Sequence, residues 1–535
     1  MRNVVVIFVI LAALVGQNMY KCESFRVLGL FPLPIKSHFI FYQRFMKELA
    51  SKGHQVYVVS QYPEKFPPPN YYDIDINGSL SRSIGQLSVQ FQLYRGIIGI
   101  MKYIFRSCGS EICEHLFQHR SIIELRNSTL KFDVVIAELY GTDCLLGFAH
   151  HFGAPIIGMS GTDLLPWAAA RMGNPDNPSY VPNYFLAVNE QMVLYEKLQA
   201  FFALFLTKIG YFFLSTAASE IRAREFFGNQ LPSLEAIVSN TSLLLVNSHL
   251  SVNVPRPMVP NVIEVGGLHI QPSDMLSWEL DKIVKTSPEG VIYFSMGTVI
   301  DLKTFEINIL QVILNAFSKI PQAVIWSGIV ENVTFPENVF VFPWVEQIEL
   351  LCEPHLKAFV TNGGLMSLQE AAYCGVPILG VSIFPNHKRN INKYVNNGAG
   401  LLINYDDLTE EVMLNSLNDL IGNASYKENA ARLSMIFKTR PMSALDTAVY
   451  WTEYVVKFGG AQHMRSKSAD LVWFEYYLVD CIIILMLLMS LGILTTVASI
   501  HVLQNYVDDV WFYNAIKIPN KEDEQTQIEQ ENKDK

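Results

Sequence analysis

Short runs of apolar and β-branched residues alternate with amphipathic stretches along two long parts of the chain. The first series starts with "FRVLGLFPL" at residue 25 and reaches "QVYVVS" after an amphipathic segment. The second starts with "GVIYFSMGTV" at residue 290 and continues through "QAVIWSG", "LKAFVTNGG" and "PILGVSIF". Strands that alternate with helices predict parallel sheets that bind ligands at the carboxyl ends of their strands. The sequence therefore predicts an α/β fold with two Rossmann-like, doubly wound domains facing a cleft.

The predicted domain boundaries lie where this alternation of strands and helices is interrupted. We expect an N-terminal α/β domain over residues 25–270, a polar linker over 271–289, a C-terminal α/β domain over 290–440 and returning helices over 441–475. A chain of 535 residues is too long for one ordinary core, in agreement with two domains. The aromatic stretch 183–228 predicts helices that line an apolar cavity or cover the first sheet.

The charge distribution argues against nucleic acid as a partner. The formal net charge is −10, and the basic residues are scattered along the chain. Nucleic-acid-binding domains instead concentrate Lys and Arg on one face.

Both ends of the chain carry apolar segments. Residues 1–24, with one Arg before "VVVIFVILAALV", predict a signal peptide, and an uncleaved anchor is the alternative. Residues 476–503 are apolar with a single Asp, which is long enough for a transmembrane helix. The polar residues 504–535 then form a cytosolic tail, whose composition predicts disorder.

Five N-x-Ser/Thr sequons precede the transmembrane segment. If the signal peptide translocates the chain, residues up to about 476 are lumenal and the sequons are accessible for glycosylation. These sequons are at Asn77, Asn127, Asn240, Asn332 and Asn423.

The stretch "FVTNGGLMSLQEAAYCGVP", residues 359–377, predicts a strand, a Gly-Gly turn and the start of a helix. Backbone N–H groups at a helix N-terminus favour anions, and glycine permits their close approach. The stretch lacks the Lys of a P-loop and the spacing of a dinucleotide fingerprint. It therefore predicts a phosphate site of another type.

The longer segment "FPWVEQIELLCEPHLKAFVTNGGLMSLQEAAYCGVPILGVSIFPNHKRN" resembles the signature of the membrane-bound UDP-glycosyltransferases. The resemblance extends to "VPRPMVPNVIEVGGLHI", "FSMGT" and "RPMSALDTAVYWTEYV", and "GNPDNPSYVP" is similar to the arthropod branch. It implies a GT-B fold that uses no metal or other cofactor, with a small lipophilic acceptor in the N-terminal half and a UDP-sugar co-substrate in the C-terminal half. It also implies a single-pass type I protein of the endoplasmic reticulum membrane, with homo- or hetero-oligomers possible.

The resemblance assigns donor-site roles by position. Trp344 is expected to stack on uracil, Gln347 and Glu370 to hold the ribose or base edge, and an arginine to face the phosphates across the cleft. These roles suit the side chains, because an aromatic face matches a planar base and a carboxylate matches a diol. The residues expected at phosphate or sugar are Arg256, Ser295, Gly297, Thr298, Asn362, Gly363, Gly364, Ser367, Asn386 and His387.

The implied reaction is an inverting displacement in which an acceptor hydroxyl loses a proton. His38, after the first strand, occupies the position of the family's catalytic base, and an imidazole can accept a proton near neutral pH. A carboxylate must orient it. Glu138 in "VVIAEL" aligns with the family's Asp; Asp143 is the alternative, although an acidic residue in a first helical turn can serve the helix dipole alone.

Several positions depart from the family pattern. Asn362 stands where the family has His, Met366 where it has Asn or Gln, and Glu346 where it has Pro. Asn386 and His387 replace a sugar-binding Asp-Gln pair. Two functions therefore stay open at this point: transfer of glucose or glucuronic acid, and a catalytically impaired relative acting as a lumenal lipophile-binding or partner protein.

Cysteines and acidic pairs give weaker signals. The seven cysteines predict no disulfide framework, although Cys108 and Cys113 could pair in an oxidising compartment. Asp73 and Asp75 form a DxD string of the kind that holds a metal in another glycosyltransferase fold, but alternation along a short strand explains it equally well.

Overall fold

The computed structural model describes residues 24–188, 191–271, 275–517 and 521–533. Apart from Ser24, the predicted signal peptide therefore lies outside the described residues. The chain through Ala469 forms one compact unit, and residues from Asp470 onward form a second.

Seven parallel strands form the first sheet among the described residues of the N-terminal half. They are β1 (Arg26–Phe31), β2 (Gln55–Ser60), β3 (Tyr71–Asp75), β4 (Val134–Glu138), β5 (Ile156–Ser160), β6 (Thr241–Val246) and β7 (Val262–Glu264). Their order is β3-β2-β1-β4-β5-β6-β7. The reversal of strand order beside β1 is the switch point at which doubly wound sheets bind ligands.

Helices cover both faces of this sheet. They are α1 (Lys36–Ser51), α2 (Val89–Lys102), α3 (Glu111–Gln118), α4 (Arg120–Asn127), α5 (Gly147–Phe152), α6 (Pro166–Arg171), α7 (Leu194–Tyr211), α8 (Ala217–Phe227) and α9 (Leu234–Ser239). Wider π-helical turns, Tyr103–Ser110 and Phe212–Thr216, join α2 to α3 and α7 to α8.

The second sheet has six parallel strands in the described part of the C-terminal half. They are β8 (Val291–Ser295), β9 (Ala323–Ser327), β10 (Val339–Phe342), β11 (Leu356–Thr361), β12 (Ile378–Ser382) and β13 (Gly400–Asn404), in the order β10-β9-β8-β11-β12-β13. The order reverses beside β8, as it does beside β1. The helices are α10 (Trp278–Thr286), α11 (Ile307–Ser318), α12 (Gln347–Leu351), α13 (Leu365–Cys374), α14 (Pro385–Asn396), α15 (Glu410–Gly422) and α16 (Ala424–Lys438).

The chain then returns to the first sheet. Helix α17 (Ala444–Lys457) buries Ala448, Val449 and Val455 in the same core as β1, β4 and α1. On the opposite face of that sheet, α6 and α9 share a core with β4 and β6. The N-terminal sheet is therefore covered on one side by residues from both ends of the compact unit.

The second unit contains α18 (Trp473–Tyr476), α19 (Val479–Lys517) and α20 (Lys521–Glu531). Its long helix α19 is a candidate membrane span by length and composition, and it extends beyond the predicted residues 476–503 at its carboxyl end. The expectation of a disordered tail is wrong for α20, which is rich in the strong helix formers Glu, Gln and Lys.

The cysteine expectations are also wrong. The structure pairs Cys113 with Cys144 and Cys352 with Cys374, and Cys108 is free and buried. Gly109, between them, has non-helical backbone angles (φ −120°, ψ −108°), so Cys108 and Cys113 face different neighbours. Cys113 faces the turn after β4, a contact that spacing along the chain does not reveal.

Candidate active site

A cleft of about 1330 Å³ lies between the carboxyl ends of the two sheets. Its walls include loops that follow β1, β4 and β5 in the first sheet and β8, β10, β11 and β12 in the second. A two-residue bridge between Leu87 and Ile300 joins the two halves beside it, with the Leu87 N–H donating to Val299 at 2.7 Å. The strand ends thus converge on one crevice, as the sequence predicts.

His38 and Glu138 meet in the N-terminal wall of this cleft. His38 lies in the first turn of α1, and Glu138 is the last residue of the neighbouring strand β4. His38 Nδ1 is 2.7 Å from Glu138 Oε1, and the carboxylate is 2% exposed. A buried carboxylate on Nδ1 selects the tautomer with its proton there, which leaves the Nε2 lone pair to accept a proton.

Neighbouring residues fix the position of the imidazole. A Cβ at Gly161 would lie 3.1 Å from His38 Cγ and 2.9 Å from the Tyr42 hydroxyl, so the loop after β5 approaches closely only as glycine. The Tyr140 ring contacts the imidazole edge-on at 5.4 Å. Burial, followed by the charge of Glu138, raises the pKa of Tyr42 well above its usual value, so the hydroxyl beside the carboxylate stays protonated.

Asp143, the alternative partner of His38, is engaged elsewhere. Its carboxylate accepts hydrogen bonds from Tyr211 and Thr216, each at 3.0 Å, and from both terminal nitrogens of Arg171. Asp143 is 1% exposed. Its role as orienting carboxylate is therefore contradicted, because a residue five positions past Glu138 in a tight turn faces the helices rather than the cleft.

The Gly-Gly turn forms a helix N-terminus facing the cleft. Asn362 clamps it, because its Nδ2 donates to the Met296 carbonyl at 2.7 Å and its Oδ1 accepts from the Gly364 N–H at 3.2 Å. Gly363 has φ of 86°, and a Cβ there would lie 2.5 Å from Ile391. Asn362 therefore joins the two loops and also lines the cleft, while the missing Cβ of Gly363 lets the turn pack against α14.

The N–H groups of Leu365, Met366 and Ser367 form the first turn of α13 and have no acceptor within the helix. Gly364 and Ser367 both line the cleft. The first turn of α13 therefore presents N–H groups of the kind that favour anions, and the anion site itself stays a prediction.

A network of hydrogen-bonded side chains supports the adjacent wall of the cleft. Gln347 Nε2 donates to Ser367 Oγ at 3.1 Å and to Glu370 Oε2 at 2.6 Å, while Gln347 Oε1 accepts from the Tyr293 hydroxyl. Glu370 Oε1 is 3.1 Å from His269 Nε2. Gln347, Ser367 and Glu370 all line the cleft, so the three polar groups expected at the nucleotide are brought together.

Trp344 lies at the rim with 56% of its surface exposed, which leaves a face open for stacking on a planar ligand. Ser295, Gly297 and Thr298 line the same cleft in the loop after β8. Gly297 has φ of 73°, and its Cβ would approach the Asn362 amide at 3.3 Å, so the two loops meet through glycine.

Asn386 and His387 occupy the wall formed by α14. Asn386 Nδ2 is 3.4 Å from the Tyr184 hydroxyl. Burial lowers the pKa of His387 to about 3, so this imidazole is neutral at physiological pH. Arg389 pairs with Asp163 at 2.5 Å and ties α14 to the N-terminal half.

Arg256 does not reach the cleft. Its guanidinium donates to the Leu164 and Pro175 carbonyls of the N-terminal half, at 3.3 and 3.0 Å. The expectation that it faces donor phosphates is contradicted, because buried backbone acceptors in its own domain use its N–H groups. Burial lowers the pKa of Arg256.

Of the remaining predicted residues, Asp73 and Asp75 do not line the cleft, whereas the sequon asparagine Asn77 does. Asp73 and Asp75 accept the backbone N–H groups of Glu64 and Asn77, which supports the simpler explanation of the DxD string. All five sequon asparagines, Asn77, Asn127, Asn240, Asn332 and Asn423, are exposed.

Sequence reasoning missed several residues of the cleft. Tyr140, Gly161, Asp163, Tyr184 and Arg389 come together from distant segments. Arg389 could have been found from the sequence, because it is a basic residue two positions after His387. The others lie in loops whose partners depend on how the sheets face each other.

Solved glycosyltransferases share this architecture. The glycotransferase of kitacinnamycin has a TM-score of 0.55 at 15% identity, covering 80% of this chain and 99% of that chain. VinC, solved in complex with DTDP, has a TM-score of 0.53 at 16% identity, covering 81% and 100%. These likenesses assign the fold to the GT-B glycosyltransferase class.

The sequence comparisons narrow that class to a family. The model of the UDP-glucoronosyl and UDP-glucosyl transferase family matches residues 77–509, and the chain belongs to this family. UDP-glucosyltransferase 2 of Dactylopius coccus is 36% identical over 481 residues, covering 89% of this chain and 93% of that protein. UDP-glucuronosyltransferase 2B1 of Rattus norvegicus is 30% identical, covering 84% and 88%.

Proposed function

We propose that this protein transfers a hexosyl group from a UDP-sugar to a hydroxyl of a small lipophilic acceptor, with inversion at the anomeric carbon. The observation that carries the proposal is the 2.7 Å contact between His38 Nδ1 and Glu138 at the wall of the cleft. Family membership and the GT-B fold support it.

The N-terminal half supplies the base. His38 Nε2 accepts the proton of the acceptor hydroxyl as its oxygen forms a bond to the anomeric carbon and the bond to UDP breaks. Glu138 stabilises the imidazolium that results. Apolar groups in the N-terminal wall, among them Phe185 and Ile104, suit a lipophilic acceptor.

The C-terminal half supplies the donor site. The first turn of α13 and Ser367 suit the diphosphate, Trp344 suits uracil, and Gln347 with Glu370 suits the ribose. His387 is neutral and Arg389 is paired with Asp163, so both favour a neutral hexose such as glucose over glucuronic acid.

The apolar segments near the two termini support a proposal for the cellular location. We place the protein in the endoplasmic reticulum membrane as a single-pass type I glycoprotein, with a cleaved signal peptide and α19 as the span. Both α/β domains are then lumenal, where the protein conjugates lipophilic compounds in detoxification, and the exposed sequons support this orientation.

Microsomes that contain the full chain test the activity. With UDP-glucose or UDP-glucuronic acid and a panel of phenols, we expect UDP release and conjugate formation, with glucose preferred. His38→Ala is expected to reduce turnover by about 10² to 10⁴. His150→Ala, an exposed histidine on α5, is the matched control and is expected to retain activity.

If the wild-type chain releases no UDP and forms no conjugate with any donor, the proposed catalysis is contradicted. Tight binding of lipophilic compounds without affinity for UDP would then support the binding-protein alternative.

A further inference from the structure

A disulfide bond joins the two helices that carry the proposed ribose contacts. Cys352 directly follows α12, and Cys374 is the last residue of α13. The two residues are bonded across 22 positions of the chain. Helix α12 starts at Gln347, and α13 carries Ser367 and Glu370. The bond therefore closes a loop that contains β11, the Gly-Gly turn and α13, and it ties α12 to that loop.

Weaker contacts also hold α12 against α13. At the start of α12, Gln347 Nε2 donates to Ser367 Oγ and to Glu370 Oε2. At its end, Leu350 and Leu351 are buried in the same core as residues of α13. Gln347 is only partly buried, so its hydrogen bonds compete with water. The disulfide adds a covalent constraint at the opposite end of α12 from these hydrogen bonds.

Helix α12 has five residues, so its position depends on these contacts. An isolated helix of that length is unstable in water, because helix nucleation is unfavourable. The residues just before it, Pro343, Trp344 and Glu346, are exposed. Trp344 lies three residues ahead of α12 and supplies the proposed face for stacking on uracil. A shift of α12 relative to α13 would therefore displace both Trp344 and Gln347 from the first turn of α13.

The two disulfides of the described residues differ in their access to solvent. Cys352 is exposed and Cys374 is half-buried, whereas Cys113 and Cys144 are each 0% exposed. Thiol–disulfide exchange requires that the attacking thiol reach a sulfur atom of the bond. A reductant in solution can therefore reach Cys352 in the folded protein, while the other disulfide is protected.

We propose that the bond between Cys352 and Cys374 positions the nucleotide wall of the cleft, and that a dithiol reductant lowers the affinity for UDP-sugars by breaking it. The closed bond holds Trp344 and Gln347 in place before the nucleotide arrives, so binding does not have to order them. Neither cysteine lines the cleft, and both are therefore positioning residues. The inference rests on the proposed donor site and is independent of catalysis.

The reductive step is a thiol–disulfide exchange. A thiolate of the dithiol attacks Cys352 Sγ, forms a mixed disulfide with it and releases Cys374 as a thiolate, which takes up a proton. The second thiol of the reductant then closes its own disulfide and releases Cys352, which is protonated in turn. Two electrons pass from the dithiol to the protein, and two protein thiols form for each dithiol oxidised.

Calorimetric titration with UDP measures this effect in the full chain, reconstituted in nanodiscs. After treatment with dithiothreitol, we expect the Kd for UDP to rise by about 3- to 10-fold, because binding must then order side chains that the bond had held. Mass spectrometry of alkylated samples shows which disulfide was reduced. Removal of dithiothreitol and addition of oxidised glutathione are expected to restore the bond and the original Kd.

A pair of double variants supplies the matched comparison. Cys352→Ser combined with Cys374→Ser is expected to show the raised Kd without reductant and no further change with it. Cys113→Ser combined with Cys144→Ser removes the other disulfide, and it is expected to bind UDP as the wild type does and to respond to dithiothreitol. Unfolding midpoints show which variants are folded. The reversible reduction of the wild-type chain tests the proposal without any substitution.

Kinetics in microsomes separate positioning from a general loss of structure. The KM for the UDP-sugar is expected to rise with the Kd after reduction. Turnover at saturating donor is expected to change by less than about twofold, because His38 and Glu138 lie in the N-terminal wall of the cleft. A fall in turnover with an unchanged KM contradicts the positioning role.

An unchanged Kd after verified reduction of Cys352 and Cys374 overturns the inference and leaves the proposed function intact. The bond would then constrain the fold alone, and only the unfolding midpoint would fall. A wild-type chain that binds no UDP overturns the donor site and this inference together. A Kd that rises on reduction, in a chain that transfers no sugar, supports the inference and contradicts only the proposed catalysis.

Discussion

Two carboxylates at and just after the end of β4 have different partners and different roles. Glu138 ends β4 beside the cleft, where its carboxylate lies 2.7 Å from the imidazole of His38, a group that can gain or lose a proton. Asp143, five residues later, is enclosed by Arg171, Tyr211 and Thr216. The first pair borders a 1330 Å³ cleft, and the second is closed off from solvent.

The difference shows that burial and partner decide what an acidic residue does. Burial by itself would lower the pKa of Arg171, but the charge of Asp143 raises it above its usual value, so the guanidinium stays charged at any relevant pH. A guanidinium that stays charged beside this carboxylate can hold helices α6 and α7 against the turn after β4. It cannot take part in proton transfer, whereas the imidazole of His38 can.

The largest expected effect is on catalysis. Glu138→Gln keeps the size of the side chain but removes the charge that stabilises the imidazolium. We expect turnover to fall by about 10² or more, while the KM for the UDP-sugar changes little. Steady-state kinetics in microsomes measure both quantities.

Asp143→Asn is the control for that experiment, because it makes the same change of charge five residues away. It is expected to retain the turnover of each folded molecule. If Asp143→Asn loses as much turnover as Glu138→Gln while staying folded, the assignment of the two carboxylates is wrong.

The next effect is on stability. Arg171→Met leaves the Asp143 carboxylate buried without its cation, which is expected to lower the free energy of unfolding by about 3 to 5 kcal/mol. Chemical denaturation of the purified full chain, compared with an exposed-arginine control such as Arg120→Met, measures this loss. A variant as stable as Arg120→Met would show that the pair contributes nothing.

Removal of both charges sharpens the same point. Asp143→Leu combined with Arg171→Met leaves no unpaired buried charge, so we expect it to recover about half or more of the stability lost in Arg171→Met alone. The Tyr211 hydroxyl, which then lacks its acceptor, limits the recovery. A double variant less stable than Arg171→Met would indicate that packing, rather than charge, dominates at this site.

The smallest effect concerns a third titratable group. The pKa of His387 is lowered from 6.5 to about 3 by burial, so the unfolded chain binds a proton at a higher pH than the folded chain. Stability is therefore lost as the pH falls from about 6.5 towards 3. Because His387 is only partly buried, we expect a contribution on the order of 1 kcal/mol at pH 5.

His387→Gln is expected to flatten this part of the stability curve, measured as unfolding midpoints at pH 7 and pH 5. The pH dependence of turnover should be unaffected in its midpoint, because His387 stays neutral in that range. A shifted midpoint in the pH dependence of turnover would mean that His387, rather than His38, causes the loss of activity at low pH.

Much of the architecture was predictable from the sequence because it depends on local periodicity. The alternation of strands and helices predicted both sheets, and the Gly-Gly turn before α13 predicted an anion-binding helix N-terminus. His38 and Glu138 were predicted from the resemblance to the UDP-glycosyltransferase family, and the structure brings them within hydrogen-bond distance. Neighbouring strands bring such residues together without any information about distant contacts.

Other predictions were wrong because they depended on contacts across the fold. Arg256 was assigned to the cleft, but carbonyl acceptors in its own domain hold it. Cys108 lost its expected partner because Cys113 meets Cys144.

The sequence by itself determined the two α/β domains and the candidate membrane span, since each follows from the pattern of apolar residues along the chain. Only the tertiary structure decided which acidic residue meets His38 and which cysteines pair. Both depend on how helices pack against a sheet, and packing brings together residues whose separation along the chain carries no signal.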